Sequence, residues 1–389
     1  MKNSTDAVRQ TVDARIAELI KEQAHVTLDD VPSSGLMRGV IEQALHSSEG
    51  GKRLRALLTL AAGTVASGNS GDLSLTDQAI IDIACAIEIF QTGALVHDDI
   101  IDDSDTRRGV PAAHKGLSTV FRSFASSINA TSPLSNIPHT QHQTCEDVGT
   151  GLGIMLGDLL ATMSLGVVSQ AAATGPALLH EAVVTAFLDM QKEVEIGQVL
   201  DVADTAVPLD RPDLIIKNCL SVFRWKTASY TTIAPLRLGF ICAGFAPDTA
   251  KTWAQRIGTP LGTAFQLADD LIDVQRKHST SGKPLGGDIK EGKRTVLLAD
   301  ALAYSTEADR KVLTDIYSRE TRDDGDISPV IDIFERSGAI ERSLARIETL
   351  WNSSTDEIAV WQDSLAISDA DTSRLVDTSR LFLPQIHTR

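Results

Sequence analysis

Aromatic residues make up only 4% of the chain, and clusters of β-branched residues are few, while Ala, Leu, Ile, Asp and Glu are common. That balance disfavours sheets and favours helices. The four cysteines, Cys85, Cys145, Cys219 and Cys242, show no CxxC spacing, and Cys85, Cys219 and Cys242 lie in apolar stretches. They read as buried thiols, and a reduced, cytoplasmic setting fits them. No run of 18 apolar residues is present, so no membrane span is expected. The opening MKNSTDAVRQTVDARIAELIKEQ is polar and amphipathic and lacks the apolar core of a signal peptide. Positive charge is in deficit: 36 Lys and Arg against 52 Asp and Glu leave a net charge of −16. That argues against nucleic acid and anionic membrane surfaces as partners. An anionic substrate would need a local reversal of the field by metal ions and a few cationic side chains.

What is abundant is helical periodicity. The 389 residues are 42% hydrophobic, ample for a large core. The pattern predicts helices over 5–23, 34–46 and 52–67, the last after a Glu49-Gly50-Gly51 break. A long apolar helix runs from Thr76 into an acidic run, with Ile80, Ala84, Ile87 and Ala94 on its recurring face. Further helices are predicted at 149–173, 179–203, 212–245 and 250–275, then up to about 352 and over 354–385. Residues 276–292 read as a loop. Residues 122–148 are rich in Ser, Thr, Asn, Pro and Gln and read as a mobile insertion. No alternating strand pattern of useful length occurs. The expectation is one all-α domain over 1–389 with a loop insertion at about 122–148.

Asp98, Asp99, Asp102, Asp103 and Asp105 form the acidic run. On a helix Asp98 and Asp102 are i and i+4 and project from one face, where like charges repel. Such a pair at the end of an apolar helix calls for a cation. Carboxylates are hard ligands suited to Mg²⁺, which takes one or two of them beside substrate phosphates. Alone, the run reads equally well as a solvated helix end. However, Asp269, Asp270 and Asp273 repeat the DDxxD pattern at the end of a second apolar helix, whose buried stripe is Ile257, Leu261, Ala264, Leu267 and Leu271. Two such motifs suggest two metal shelves facing across one cavity.

Cationic groups accompany them. Gly50-Gly51-Lys52-Arg53-Leu54-Arg55 opens a helix, where backbone N–H groups favour anions, and Lys52 and Arg55 are predicted to share a face. Arg107-Arg108-Gly109 follows the first acidic run, Lys226-Thr227 lies within a helix, and Lys283 and Lys293 follow the second acidic run. Each alone reads as a solvated charge. With two metal shelves they describe a site for two diphosphates, one held through Mg²⁺ and the other by Lys and Arg.

These residues together resemble the trans-isoprenyl diphosphate synthase family. The resemblance runs in order through GGKRLR (50–55), LVHDDIIDDSDTRRGVP (95–111), GDLL (157–160), GQVLD (197–201), KTASY (226–230), FQLADDLID (265–273) and GKPLGGDIKEGKRT (282–295). It implies an isoprenoid synthase fold, a helical bundle around a deep central cavity, usually as a homodimer with three Mg²⁺. It implies Asp98, Asp102 and Asp269 as metal ligands, assisted by Asp99, Asp270 and Asp273, with Gln198 and Asp201 supporting the metal shell. Arg107, Lys226, Lys283 and Lys293 would hold an allylic diphosphate (dimethylallyl, geranyl or farnesyl). Lys52, Arg55, Gln91 and Arg108 would hold isopentenyl diphosphate, and Thr227 and Gln266 would face the developing carbocation. His97 would orient the acidic shelf, and His114 would contact the loop after Arg107-Arg108-Gly109. The stretch containing 122–148 is longer than the family's usual connection.

By the same resemblance, the helix before Asp98 walls the pocket for the growing tail. Gly93 and Ala94 leave room where short-chain members carry a bulky aromatic. Phe90 lies one turn deeper, a further ~5 Å by helical pitch, and is the candidate floor. A C20 product, geranylgeranyl diphosphate, is expected, with farnesyl or longer products as alternatives. A class I terpene cyclase normally lacks the second DDxxD and the GGKRLR and RRG elements. A non-catalytic regulatory subunit tends to lose Asp or Lys from these motifs, and none is missing here.

Overall fold

The computed structural model describes residues 2–24, 31, 33–66, 76–130, 144–275, 285–365 and 367–383. Residues 131–143 of the expected insertion and Lys283 lie outside this range. The fold is all-α, as the composition predicts. Its contacts divide the chain into two compact units, Met1–Leu57 with Asp77–Thr174, and Leu58–Thr76 with Gly175–Arg389.

The first unit contains α1 (Lys2–Gln23), α2 (Ser34–Ser48), the start of α3 (Leu54–Ala66), α4 (Asp77–Ile101), α5 (Ala113–Ala130) and α6 (Cys145–Ala172). α4 is its core helix, with Ile83, Ala84, Cys85, Ala86, Ile87 and Ile89 fully buried. It packs chiefly on α6. The approach is close because small residues meet there. A Cβ on Gly157 would lie 2.1 Å from Nε2 of His97, and one on Gly93 would lie 2.8 Å from the Gly157 carbonyl oxygen.

The second unit holds the rest of α3, then α7 (Ala177–Val202), α8 (Pro212–Val222), a π-helical segment (Phe223–Ile233), α9 (Ala234–Cys242) and α10 (Pro247–Val274). The short α11 (Gly287–Glu291) follows, then α12 (Val296–Tyr304), α13 (Glu307–Tyr317), α14 (Asp324–Arg336), α15 (Ala339–Leu365) and α16 (Asp369–Arg380). α10 is central and packs on α15, the π segment and α9. Its stripe of Ile257, Leu261, Ala264, Leu267 and Leu271 is buried, as the spacing predicts.

Several boundaries differ from expectation. The helix predicted over 212–245 is three pieces, because the chain widens to π geometry at 223–233 before Pro235 opens α9. Residues 122–130 continue α5, and 145–148 open α6, so the polar stretch 122–148 is helical at both of its described ends, and residues 131–143 of the expected insertion lie outside the described residues. α6 starts on a capping box: Thr144 Oγ1 accepts from the Asp147 N–H at 3.1 Å, and the Asp147 carboxylate accepts from the Thr144 N–H at 2.8 Å. Within the expected loop 276–292, residues 287–291 form α11. The last helical stretch begins at Ala339 and breaks before Asp369.

α4 and α6 are each long and apolar enough to cross a membrane. The sequence reading missed this because single polar residues interrupt both apolar runs. Over the apolar window α4 is 67% buried and α6 is 44% buried within the protein. α4 is therefore a core helix, while much of α6 faces outward.

Candidate active site

α4 delivers the first acidic motif, and its periodicity separates the carboxylates. Asp98 and Asp102 are half-buried. Asp99 is 2% exposed. Its carboxylate takes a guanidinium fork, with Arg107 Nε donating at 2.7 and 2.9 Å and Nη2 donating as well. Asp103 and Asp105 are exposed and lie beside Lys115 at 3.9 and 3.2 Å. The outward pair is thus Asp98 and Asp102.

Arg107 is placed by a hairpin of two-residue strands, Thr106–Arg107 (β1) and Val110–Pro111 (β2). Both residues of its turn have positive φ, Arg108 at 53° and Gly109 at 79°. A type I′ hairpin turn requires this geometry. The turn sends Arg108 to the Glu49 carbonyl, 2.8 Å from its Nη1. Burial holds the Arg108 guanidinium below its usual range, and nearby Arg53, Arg107 and Arg55 push it the same way. Arg53, Arg55 and Arg107 thus all lie close enough to act on Arg108, although Asp99 engages Arg107 and carboxylates also flank Arg53.

The Gly50–Arg55 stretch supplies two of them, in a form not foreseen. Gly50, Gly51 and Arg53 all have positive φ, at 72°, 93° and 50°. α3 begins only at Leu54, so Lys52 lies in the turn and does not share a helical face with Arg55. Lys52 is exposed and Arg55 is buried. Arg53 is the residue that sequence reasoning passed over. Its side chain is 4% exposed and meets Asp13 Oδ1 at 2.5 Å and Glu88 Oε2 at 3.7 Å. It also donates to the Ser48 carbonyl. Removing one partner of a buried ion pair costs about 3–5 kcal/mol. Glu88 was readable as a lone carboxylate in the apolar run Ile83–Phe90, since a buried charge requires a partner.

His97 does not reach the acidic motif as expected. Its Nε2 lies 3.1 Å from the Ile154 carbonyl oxygen and 3.5 Å from Asp158 of α6. Buried His114 has no hydrogen-bond partner at Nδ1, and burial first, then Lys115, lowers its pKa. Gln91 and Ala94 are half-buried on α4, and Phe90 is buried. The room expected at Gly93 is taken by α6, whose Leu160 Cβ would lie 3.2 Å from an added Cβ.

In the second unit, α7 carries Gln198 and Asp201, and the π segment carries Lys226 and Thr227. Lys226 Nζ donates to Asp201 Oδ2 at 2.5 Å. Thr227 donates to Gln266 Oε1 at 2.8 Å, and Gln266 Nε2 donates to Asp270 Oδ1 at 2.9 Å. π geometry often marks functional sites, and here it brings Thr227 and the second acidic motif into one chain of hydrogen bonds. Asp269 is exposed, whereas Asp270 is 6% exposed. Burial, then the charge of Asp288, raises the Asp270 carboxyl well above the usual carboxylate range. Asp273 accepts the N–H groups of Gly287 and Asp288, both at 3.1 Å, and so caps α11. Lys293 pairs with Glu291 at 2.7 Å. Asp204, also missed, accepts from the Arg294 N–H at 2.9 Å and from Asn218, and holds the chain beside Lys293. Burial pushes its carboxyl up to about 6.

Among the described residues no three His, Cys, Asp or Glu side chains gather into a metal cluster. Neither motif is a closed cage of protein ligands. Paired hard oxygens with the remaining positions open are what Mg²⁺ accepts together with water and substrate phosphate, so the donor set fits that ion.

Residues 38–334 match the polyprenyl synthetase family profile. A short chain isoprenyl diphosphate synthase of Methanothermobacter thermautotrophicus is 28% identical over 327 residues, 84% of this chain and 85% of its own. The octaprenyl diphosphate synthase of Escherichia coli is 28% identical over 77% of both chains. Among solved structures, a geranylgeranyl pyrophosphate synthase from Corynebacterium glutamicum, complexed with isoprenyl diphosphate and magnesium, matches with TM-score 0.80. It is 28% identical, over 98% of this chain and 99% of its own.

Proposed function

The chain belongs to the polyprenyl synthetase family and is a prenyltransferase, and from that premise we propose that it condenses isopentenyl diphosphate head-to-tail with an allylic diphosphate, in the presence of Mg²⁺, to give geranylgeranyl diphosphate. The observation that carries the site reading is the division within each acidic motif. The first carboxylate stays toward solvent, Asp98 (with Asp102) and Asp269, while the second is buried and engaged, Asp99 by Arg107 and Asp270 by Gln266. Asp98, Asp102 and Asp269 would hold the ions, with Gln198 supporting them.

Bound Mg²⁺ would neutralise the allylic diphosphate and make it a better leaving group. Arg107, Lys226, Lys283 and Lys293 bind that diphosphate. Lys52, Arg55, Gln91 and Arg108 bind isopentenyl diphosphate. The allylic C–O bond breaks, the isopentenyl double bond forms the new C–C bond, and the proton lost goes to the released diphosphate. Because the Thr227 hydroxyl donates to Gln266, its oxygen remains an acceptor for developing positive charge. No side-chain nucleophile takes part. Burial pushes the thiols of Cys85 and Cys219 far up and that of Cys242 to about 12, so none supplies a thiolate.

The C20 assignment is supported by the similarity to the Corynebacterium enzyme and by Phe90, buried two turns before Asp98. Products formed from farnesyl diphosphate and isopentenyl diphosphate test it. The unmodified chain should stop at C20, and a main product of C25 or longer overturns the assignment. Phe90→Ala should lengthen the product, and an unchanged length overturns its role as floor. Gly93→Ala should instead lower stability by about 1–3 kcal/mol through overpacking, with product length unchanged. A shorter product at unchanged stability would return Gly93 to the tail pocket.

A homodimer is also proposed. It is supported by α6, where Ile154 and Met155 are 42% and 58% exposed on an apolar helix. Sedimentation of the purified chain should give twice the monomer mass, and a monomer overturns the proposal.

A further inference from the structure

We infer that Glu88 is a positioning residue for isopentenyl diphosphate, acting through Arg53 to hold the turn that presents Lys52 and Arg55. The inference rests on the reading that these two side chains bind that substrate.

The turn is costly to hold. Three of the four residues from Gly50 to Arg53 have positive φ, and for Arg53 that conformation crowds its Cβ against the backbone. Nothing in a Gly-Gly-Lys-Arg sequence enforces it locally. The restraint comes from side chains that converge on both ends of the turn. At the entry, Arg53 donates to the Ser48 carbonyl and Arg108 donates to the Glu49 carbonyl. At the exit, Glu88 Oε1 accepts the Ala56 N–H at 3.0 Å, which satisfies one of the orphan donors at the start of α3. The other oxygen of the same carboxylate faces Arg53 Nη1 at 3.7 Å.

Glu88 is thus a two-sided brace. One oxygen fixes where α3 begins and the other fixes the guanidinium that folds the turn back. Its side chain is 3% exposed, so water cannot replace either contact. Asp13 of α1 holds the far side of the guanidinium at 2.5 Å, from a more exposed position. A second tie secures α2 to α4: Ser48 Oγ lies 3.4 Å from Thr92 Oγ1, which itself donates to the Glu88 carbonyl. Glu88 also stands ten residues before Asp98 on α4. The helix that carries the first acidic motif therefore also sets the position of the cationic turn. Gln91 lies one turn after Glu88 on that helix, so three of the groups assigned to isopentenyl diphosphate take their places from α4.

The test is steady-state kinetics with each substrate varied in turn, on Glu88→Gln, Asp13→Asn and Lys52→Ala. Glu88→Gln can keep the bond to the Ala56 N–H but loses the charge opposite Arg53. It should raise KM for isopentenyl diphosphate roughly tenfold, with kcat, KM for the allylic substrate and the Mg²⁺ dependence little changed. Asp13→Asn, at the more exposed end of the same network, should shift the same KM in the same direction by a smaller factor. It decides the matter if Glu88→Gln does not fold. Some loss of thermal stability accompanies the broken ion pair in either case; a purely structural role for Glu88 would depress both substrates' kinetics together, and that result overturns the inference. If Lys52→Ala raises KM for isopentenyl diphosphate while Glu88→Gln and Asp13→Asn leave it unchanged, the brace is refuted and the substrate reading stands. If Lys52→Ala itself leaves that KM unchanged, the substrate reading fails and the brace falls with it.

Discussion

Asp98→Ala is expected to lower kcat by about a thousandfold, the scale for losing a group that stabilises developing charge in the transition state, while the protein stays folded and no less stable. The second half of this expectation follows from position. Asp98 and Asp102 stand at i and i+4 at the exposed end of α4, and in the absence of a cation they repel each other. Deleting one carboxylate removes that repulsion. A residue kept where it destabilises its own helix is a residue with another task, and stability gained at the expense of activity is its signature. Asp99→Ala makes the contrast. It strands the Arg107 guanidinium that forks onto a carboxylate 2% exposed, so it should reduce thermal stability as well as activity. Melting curves and single-turnover rates on the two variants separate these outcomes. Full activity in Asp98→Ala would remove the metal assignment.

Gly197→Ala is expected to lower kcat/KM about a hundredfold, the cost of misplacing a binding group by roughly 1 Å. Gly197 of α7 faces the π segment at its functional residues. An added Cβ would lie 2.1 Å from the backbone N of Lys226, 2.4 Å from its Cα and 2.5 Å from the carbonyl carbon of Trp225. Those are backbone atoms, which cannot rotate away as a flexible side chain can. On the other side, a Cβ on Gly262 of α10 would lie 2.5 Å from the Ala228 Cβ and 2.6 Å from its Cα. The π segment is therefore clamped between two helices, and the extra methyl must push Lys226 and Thr227 off their partners Asp201 and Gln266. Kinetics of Gly197→Ala beside Lys226→Ala give the measurement. If the glycine variant matches the unmodified chain, the π segment tolerates displacement and does not set the position of Lys226.

The residues just discussed also mark where sequence reading succeeds and stops. The shared outward face of Asp98 and Asp102 was legible because helical period alone puts i and i+4 on one face, and an apolar stripe on the same helix says which face is outward; Asp269 was singled out by the family resemblance. Asp99 was harder to place. Its burial depends on Arg107, whose position depends on a hairpin with positive φ at Arg108, a residue type that gives no hint of that conformation. The π segment was invisible for a similar reason. Its residues are compatible with a single long helix, and the shift from i+4 to i+5 backbone pairing leaves no mark in residue type. Gly93 shows the opposite error. In sequence a missing side chain reads as empty space, yet in a packed interior a neighbouring helix moves in to fill it. At 122–148 the polar composition hid both helix ends, although Thr144 and Asp147 carried a capping-box signal that could have been read. Glu88 was legible in the same sense, since a carboxylate inside an apolar helix requires a partner.

The central claim is that this chain joins isopentenyl diphosphate to an allylic diphosphate with divalent metal held by its two acidic motifs. Its most direct test is product analysis of the purified chain with labelled isopentenyl diphosphate and each of the dimethylallyl, geranyl and farnesyl primers, with Mg²⁺ and with a chelator in its place. The account predicts label in a longer trans-prenyl diphosphate, release of diphosphate, and loss of both on chelation. Unlabelled cyclic hydrocarbon from farnesyl diphosphate alone, or no transfer of label with any primer in the presence of Mg²⁺, would contradict it.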